Sequence, residues 1–110
     1  MTAARVEEYV RADGSNPYRR WFESLPAHAA SKVAIAVYRL ETGHTSAIRW
    51  FAGIGARRID WGPGYRIYLA RGGARLILLL GGGTKGTQRA DIARALRLYE
   101  EHKTKRRARR

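Results

Sequence analysis

Arg58, Arg66 and Lys85 stand in the second half of the chain, with Tyr68 close to the second arginine. A guanidinium binds phosphate oxygens through two parallel donors, an ammonium acts as a point charge, and a tyrosine ring can stack on a base. The chemistry these types suit is recognition of a phosphodiester. The competing reading is a solvated face in which Arg58 or Arg66 pairs with Asp60, and spacing alone leaves both open. Other chemistries have less to work with. The chain has no cysteine, which removes a thiol nucleophile, a cysteine–zinc cluster and a disulfide framework. His28, His44 and His102 are far apart and show no ligand spacing, so no metal site is expected. Gly81-Gly82-Gly83-Thr84-Lys85 lacks the GxxxxGK[ST] pattern of a nucleotide-binding loop. Those glycines read either as a flexible connection or as a device that lets Lys85 approach a phosphate near a helix N-terminus.

Short β-type runs must position these residues. Arg57–Trp61, Tyr65–Ala70 and Arg75–Leu80 are separated by Gly62-Pro63-Gly64 and Gly72-Gly73, which predicts three consecutive antiparallel strands. A Gly72-Gly73 turn pairs Ala70 with Arg75, Tyr68 with Ile77 and Arg66 with Leu79. The opposite face then holds Tyr65, Ile67, Leu69, Leu76, Leu78 and Leu80 and is expected under helices. A three-residue loop at 62–64 puts Ile59 and Trp61 with Ile67, where a two-residue loop would bury Arg58 and Asp60. In that register Arg58, Asp60, Arg66 and Tyr68 cluster on an uncovered face, bordered by Arg75.

Upstream, Ala4–Val10 reads as a first strand that ends in the turn-rich Asp13-Gly14-Ser15-Asn16. Asn16 is placed to cap a short helix opening at Pro17 and running to about Leu25. Pro26 opens a second helix with Ala30, Val33, Ala34, Val37 and Tyr38 on one stripe, and Gly43 is its stop. Residues 44–55 read as loop, with Trp50 and Phe51 either core or a partner-binding patch. Thr84–His102 carries Ile92, Ala95, Leu96 and Tyr99 at helical spacing. Tyr9, Trp21, Phe22 and Tyr99 are core candidates. The order β-α-α-β-β-β-α predicts an α+β fold with two N-terminal helices and a C-terminal helix on one face of a four-stranded, mainly antiparallel sheet.

At 110 residues there is room for one domain, expected over 1–102. A net charge of +13 calls for an anionic partner, nucleic acid or an acidic protein first. Residues 103–110, KTKRRARR, hold six of the 22 basic groups and no acid, and are expected to be a disordered tail, solubilising or a phosphate-binding arm. The longest aliphatic run, Leu76–Leu80, is far too short to span a bilayer, and the start lacks the apolar stretch of a secretory signal, so a cytoplasmic protein is expected.

The stretch RRIDWGPGYRIYLARGGARLILLLGGGTKGTQRADIARAL, positions 57–97, resembles the RelE/ParE superfamily of toxins from bacterial type II toxin–antitoxin modules. It is most similar to the HigB-like "addiction module killer protein" branch. YRRWFESLP at 18–26 and GIGARRI at 53–59 extend the similarity more weakly, over most of residues 5–102. The resemblance implies an endoribonuclease that cleaves mRNA on the translating ribosome and arrests growth. It also implies a helix-turn-helix, HigA-like antitoxin as partner, with operator DNA met only through that complex. In such nucleases, which use no metal or other cofactor, the ribose 2′-hydroxyl attacks the adjacent phosphate, so cations are needed where charge builds. By position Arg58 and Arg66 match the family's sheet arginines and Lys85 its lysine after the last strand, which implies phosphate binding and transition-state stabilisation. Tyr68 is the candidate for base stacking or proton transfer, and Arg49, Arg57 and Arg75 for RNA contact. The sequence departs from the family in having no histidine on the strand face and in a segment, GGGTKG, poorer in lysine than usual. A ParE-type toxin that poisons DNA gyrase without cutting RNA is the alternative, and a plain basic nucleic-acid-binding module is a third reading.

Overall fold

In the computed structural model, which describes residues 4–108, the chain runs β1 (Arg5–Glu8), α1 (Pro17–Glu23), α2 (Ala27–Glu41), β2 (Ile48–Phe51), β3 (Ile54–Ile59), β4 (Tyr65–Gly73) and β5 (Leu76–Thr84). A 3₁₀ turn at Lys85–Thr87 leads into α3 (Gln88–Ala108). The α1 start is set as its sequence dictates, with Asn16 Oδ1 accepting from the Arg19 amide at 2.9 Å and Pro17 in the first turn. Pro26 closes the chain between α1 and α2, whose buried stripe is Ala29, Val33, Ala36 and Leu40.

Among the described residues the fold is α+β, with a five-stranded mixed sheet ordered β1-β5-β4-β3-β2. β1 runs parallel to β5 and the remaining pairs are antiparallel. This corrects the four-stranded expectation: residues 44–55 contain not a loop but the start of the β2–β3 hairpin. Its turn residues Ala52 and Gly53 both have positive φ, 51° and 91°, the geometry that two-residue hairpin turns require. Gly55, which reads as a loop signal, lies inside β3 because a Cβ there would meet Ile48 Cγ2 at 2.7 Å and Trp50 Cε3 at 2.9 Å.

Both later registers also differ from expectation. Ile59 pairs with Tyr65 and Arg58 with Arg66, so the connection is the five residues 60–64 and Trp61 lies outside the sheet. Gly62 and Gly64 at φ 58° and 79° flank Pro63, a backbone that a three-residue turn with a central proline does not provide. In the next hairpin Gly73 pairs with Leu76, which moves the turn to Ala74-Arg75. Gly72 remains in the strand because a Cβ would lie 2.8 Å from Leu76 Cδ2. Leu69 faces Leu79 while Tyr68 faces Gly81, so Leu80 is the extra residue of a bulge and Arg66 lies opposite Gly83, not Leu79.

Helices cover both faces, not one. Ile67, Leu69, Ile77 and Leu79 pack with Tyr18, Val33, Ala36 and Leu40 under α1 and α2. Ala56, Tyr68, Ala70 and Leu80 pack with Ala95 and Leu98 under α3, joined by Tyr9 and Ile54. The uninterrupted run Ile77–Leu80, buried throughout, is what a strand covered on both sides needs. Trp21, Phe22 and Tyr99 are partly buried against these clusters. Phe51 joins the α3 side, while Trp50 is partly exposed beneath the Arg71 guanidinium, 4.3 Å from its ring centroid.

The disordered tail is corrected over 103–108, where α3 continues. Lys103 pairs with Glu100 at 2.8 Å, Lys105 donates to the Val10 carbonyl at 3.2 Å, and basic residues suit the negative end of the helix dipole. Positions 109–110 lie outside the described residues. Among the described residues no helix is long and apolar enough to cross a membrane.

Candidate nucleic-acid interface

Arg58 and Arg66 are directly opposed on β3 and β4, and Arg66 faces Gly83 on its other side. The connection between these two strands folds back over them. Gly64 comes so close that a Cβ there would lie 3.4 Å from Arg66 Nη1 and 3.8 Å from Lys85 Cβ. The Gly64 carbonyl also accepts the Lys85 amide at 2.9 Å, fixing the start of the 3₁₀ turn against this loop. Three cations from three elements thereby converge at one end of the sheet.

Their charges are unequally compensated. Arg58 Nη2 lies 3.7 Å from Asp60 Oδ1, a loose pair with an 87% exposed carboxylate, so the solvated-pair reading holds for Arg58. Arg66 is 8% exposed and, among the described residues, has no carboxylate within ion-pair distance and no hydrogen-bond partner for its side chain. Like charges directly opposed across strands are destabilising, and a buried charge without a partner more so. Such an arrangement suits an anion arriving from outside.

The other expected site residues divide. Arg49, exposed on β2, pairs with Ala56 and so shares the face of Arg58 and Arg66, one row along. Arg57 points to the other face, opposite Ile67; its Nη1 donates to the Arg58 carbonyl and its Nε is buried without a partner. Arg75 occupies the β4–β5 turn at the far end of the hairpin from Arg66 and does not join the cluster. Tyr68 requires correction. The face expected to be open is closed there by α3, and a ring only 1% exposed has no surface to offer a base. Its hydroxyl has no partner, and burial, then the negative charge of Asp91, pushes its pKa up despite the opposing pull of Arg66. A raised pKa removes it further from service as a base.

Asp91 is the residue that strand patterning missed. It is buried in the first turn of α3, accepts a hydrogen bond from Thr87 Oγ1 and another from Arg94 Nη1 at 3.0 Å, and presses on Gly83, where a Cβ would fall 1.8 Å from its Oδ2. The bare glycine in β5 is therefore what admits the carboxylate. An acid in the first turn of a predicted helix, four residues after a threonine, was the available signal. The histidines stand elsewhere: His28 against Trp61, His44 beside Thr42 Oγ1 at 3.1 Å, and His102 between Tyr9 and Tyr99. Among the described residues no group of three or more acidic or histidine side chains is placed to hold a metal ion.

The class is thus an α+β protein whose mixed sheet is covered on both faces and carries an under-compensated cationic cluster at one end. The chain belongs to the same family as a protein of Haemophilus influenzae described as an uncharacterized protein, to which it is 39% identical over 83 residues, 74% of this chain and 84% of that one. No family model and no solved structure matches it.

Proposed function

We propose that the chain is the toxin of a type II toxin–antitoxin module, a RelE/ParE-like endoribonuclease that cleaves mRNA on the ribosome and so arrests translation and growth. The observation that carries this reading is Arg66, a residue only 8% exposed whose guanidinium has no ion-pair partner among the described residues, set against Arg58 and beside Lys85. A phosphodiester supplies the missing anion. As the 2′-hydroxyl gives its proton to solvent water and its oxygen attacks phosphorus, with the P–O5′ bond breaking, a second negative charge develops on the phosphate oxygens, and preorganised donors stabilise it far more than water does. Arg58 and Arg66 fill that role. Lys85 binds the same phosphate and protonates the departing 5′ oxygen. Arg49 extends the basic surface along the same face. A helix-turn-helix antitoxin encoded beside it is the proposed partner, meeting operator DNA on behalf of the complex.

The test is tightly controlled expression in a bacterium, wild type beside Arg66→Ala, with mRNA 5′ ends mapped before growth stops. New in-frame cleavage sites that vanish in the variant support the nuclease. Growth arrest with intact mRNA and accumulating DNA breaks would replace it with gyrase poisoning, and harmless expression would leave only a basic binding module.

A further inference from the structure

Across β5 from Arg66 lies a second feature that the nuclease chemistry does not use. β1 pairs with β5 only from Leu76 to Leu79, and the chain then turns away through Asp13–Ser15 into α1. Leu80–Thr84 is left as a free edge, with no strand beside it among the described residues. The Tyr9 amide donates to the Leu79 carbonyl at 3.0 Å, so the Leu79 peptide faces the β1 side. Leu79 sits opposite Leu69 and Gly82 opposite Ile67, two residues apart on β4, and alternation turns the Gly82 N–H and C=O to the same open side. The next outward amide, Thr84, is taken by Thr87 Oγ1 at 3.3 Å.

This edge is the floor of a cleft of about 960 Å³ walled by α1 and α3. Trp21 lies over Gly82 on one wall, where a Cβ would fall 2.4 Å from its ring, and Leu98 stands on the other. The rim is cationic: Arg11 and Arg94 are engaged by Glu101 and Asp91, whereas Arg20 from α1 and Arg97 from α3 are exposed and have no ion-pair partner among the described residues. Unpaired strand edges accept further strands, and charge around them selects which.

We propose that this edge binds an acidic, extended polypeptide segment by strand addition, continuing the sheet where β1 leaves it. Its backbone pairs with β5 at Gly82, one row of side chains lies against Trp21, and carboxylates reach Arg20 and Arg97. Five residues of edge hold a segment of about 17 Å. A second copy of this chain is a poor occupant, because edge-to-edge pairing would set two arginine rims against each other. An RNA strand could use the rim but not the amide edge. The surface is independent of the Arg58–Arg66–Lys85 chemistry and stands whether or not the chain cuts RNA.

The experiment uses the full ¹⁵N-labelled chain and a short synthetic peptide alternating Glu and Val. Supporting results are shifts confined to Gly81–Thr84 and the cleft walls, slowed hydrogen exchange at the Gly82 amide, and affinity unchanged by Arg66→Met. The double variant Arg20→Glu/Arg97→Glu, checked for an unaltered spectrum elsewhere, should bind at least about tenfold more weakly. A peptide methylated on alternate amides, and one with Lys for Glu, should fail likewise. No binding by the acidic peptide, equal binding by the methylated one, or displacement from the same amides by oligouridylate would overturn the proposal, the last in favour of an RNA track.

Discussion

Two groups of charges in this molecule are treated in opposite ways. Where α1 and α3 meet the end of β1, the carboxylates Glu8 and Glu101 are each held by partners. Glu8 accepts from Arg19 and from Asn16 Nδ2 at 2.8 Å, and Glu101 receives Tyr9 Oη at 2.6 Å and Arg11 Nη2 at 3.0 Å. At the end of the sheet where β3 meets β4, Arg58 and Arg66 oppose each other, and among the described residues the more buried one has no carboxylate within ion-pair distance. The first group ties three elements together and consumes its own electrostatics in doing so. The second keeps its charge uncompensated, which costs stability and leaves binding capacity. Composition alone, at +13, does not distinguish them; only pairing does.

The largest expected effect breaks the comparison at its unpaired end. Arg66→Met keeps most of the apolar stem and removes the charge. RNA cleavage should fall by about 10²–10³, the usual loss when one preorganised donor to a developing oxyanion is removed. The melting temperature should stay level or rise, because an opposed like charge is gone. Paired measurements of cleavage rate and thermal unfolding check this, and a large fall in both would reassign Arg66 to the scaffold.

Next comes the glycine that admits Asp91. Gly83→Ala places a methyl group 1.8 Å from the Asp91 carboxylate oxygen, so α3 must shift at its start. Overpacking of this kind costs about 1–3 kcal/mol. Urea unfolding should show a lower midpoint with unchanged slope, whereas Gly81→Ala, with open space around the new Cβ, should cost much less.

Much of this was legible in the sequence, and the misses have common physical causes. Asn16-Pro17 and the apolar period through Val33 mark their helices, because capping and periodicity are local, but the buried face of α2 is Ala29, Val33, Ala36 and Leu40, with Ala34 and Tyr38 of the expected stripe exposed. The β2–β3 hairpin was hidden because its turn uses Ala52, a non-glycine at positive φ, and because Gly55 is demanded by neighbours in space rather than by a turn. The turn at Ala74-Arg75 and the extra strand residue Gly72 put Ile77 and Leu79 on the face of Ile67 and Leu69, where Leu78 and Leu80 are expected, a shift that alternation cannot reveal in an all-apolar run. Arg58 and Arg66 share a face as expected, since their pairing depends only on the uninterrupted β3–β4 register. Tyr68 shares their face, as alternation predicts, but its cover by α3 is not legible locally, because which helix covers which face is decided by long-range packing.

At the paired end, pH should separate the groups. Bonds from Arg11 and then Tyr9 hold the Glu101 carboxyl below its ordinary value of 4.5, and Arg19 does the same for Glu8. A carboxylate depressed in the folded state contributes stability that is full above its unfolded value and is lost as pH falls through the folded one. Glu101→Gln should cost about 1 kcal/mol at neutral pH, a modest figure for a partly exposed pair. The difference from wild type should shrink as pH drops below about 4.5, because wild type then loses the same charge. A gap that persists to pH 2 would mean that Glu101 acts by packing rather than charge.

The smallest effect sharpens the unpaired end by counting its charges. Each cation that neutralises a phosphate of single-stranded RNA releases about 0.7 counterion, so Arg58, Arg66 and Lys85 together should contribute about −2 to the slope of log K against log salt. Arg58→Ala should reduce that slope by only about 0.5–0.7, since its charge is already partly shared with Asp60. Asp60→Asn frees the arginine without removing it, and binding should tighten slightly while the slope steepens. The Glu101→Gln variant frees Arg11 in a comparable way, but at a distance from the cluster. If the slope responds equally to both, RNA is reading the net charge of the molecule; a response to Asp60 alone places the phosphates at Arg58 and its buried neighbour.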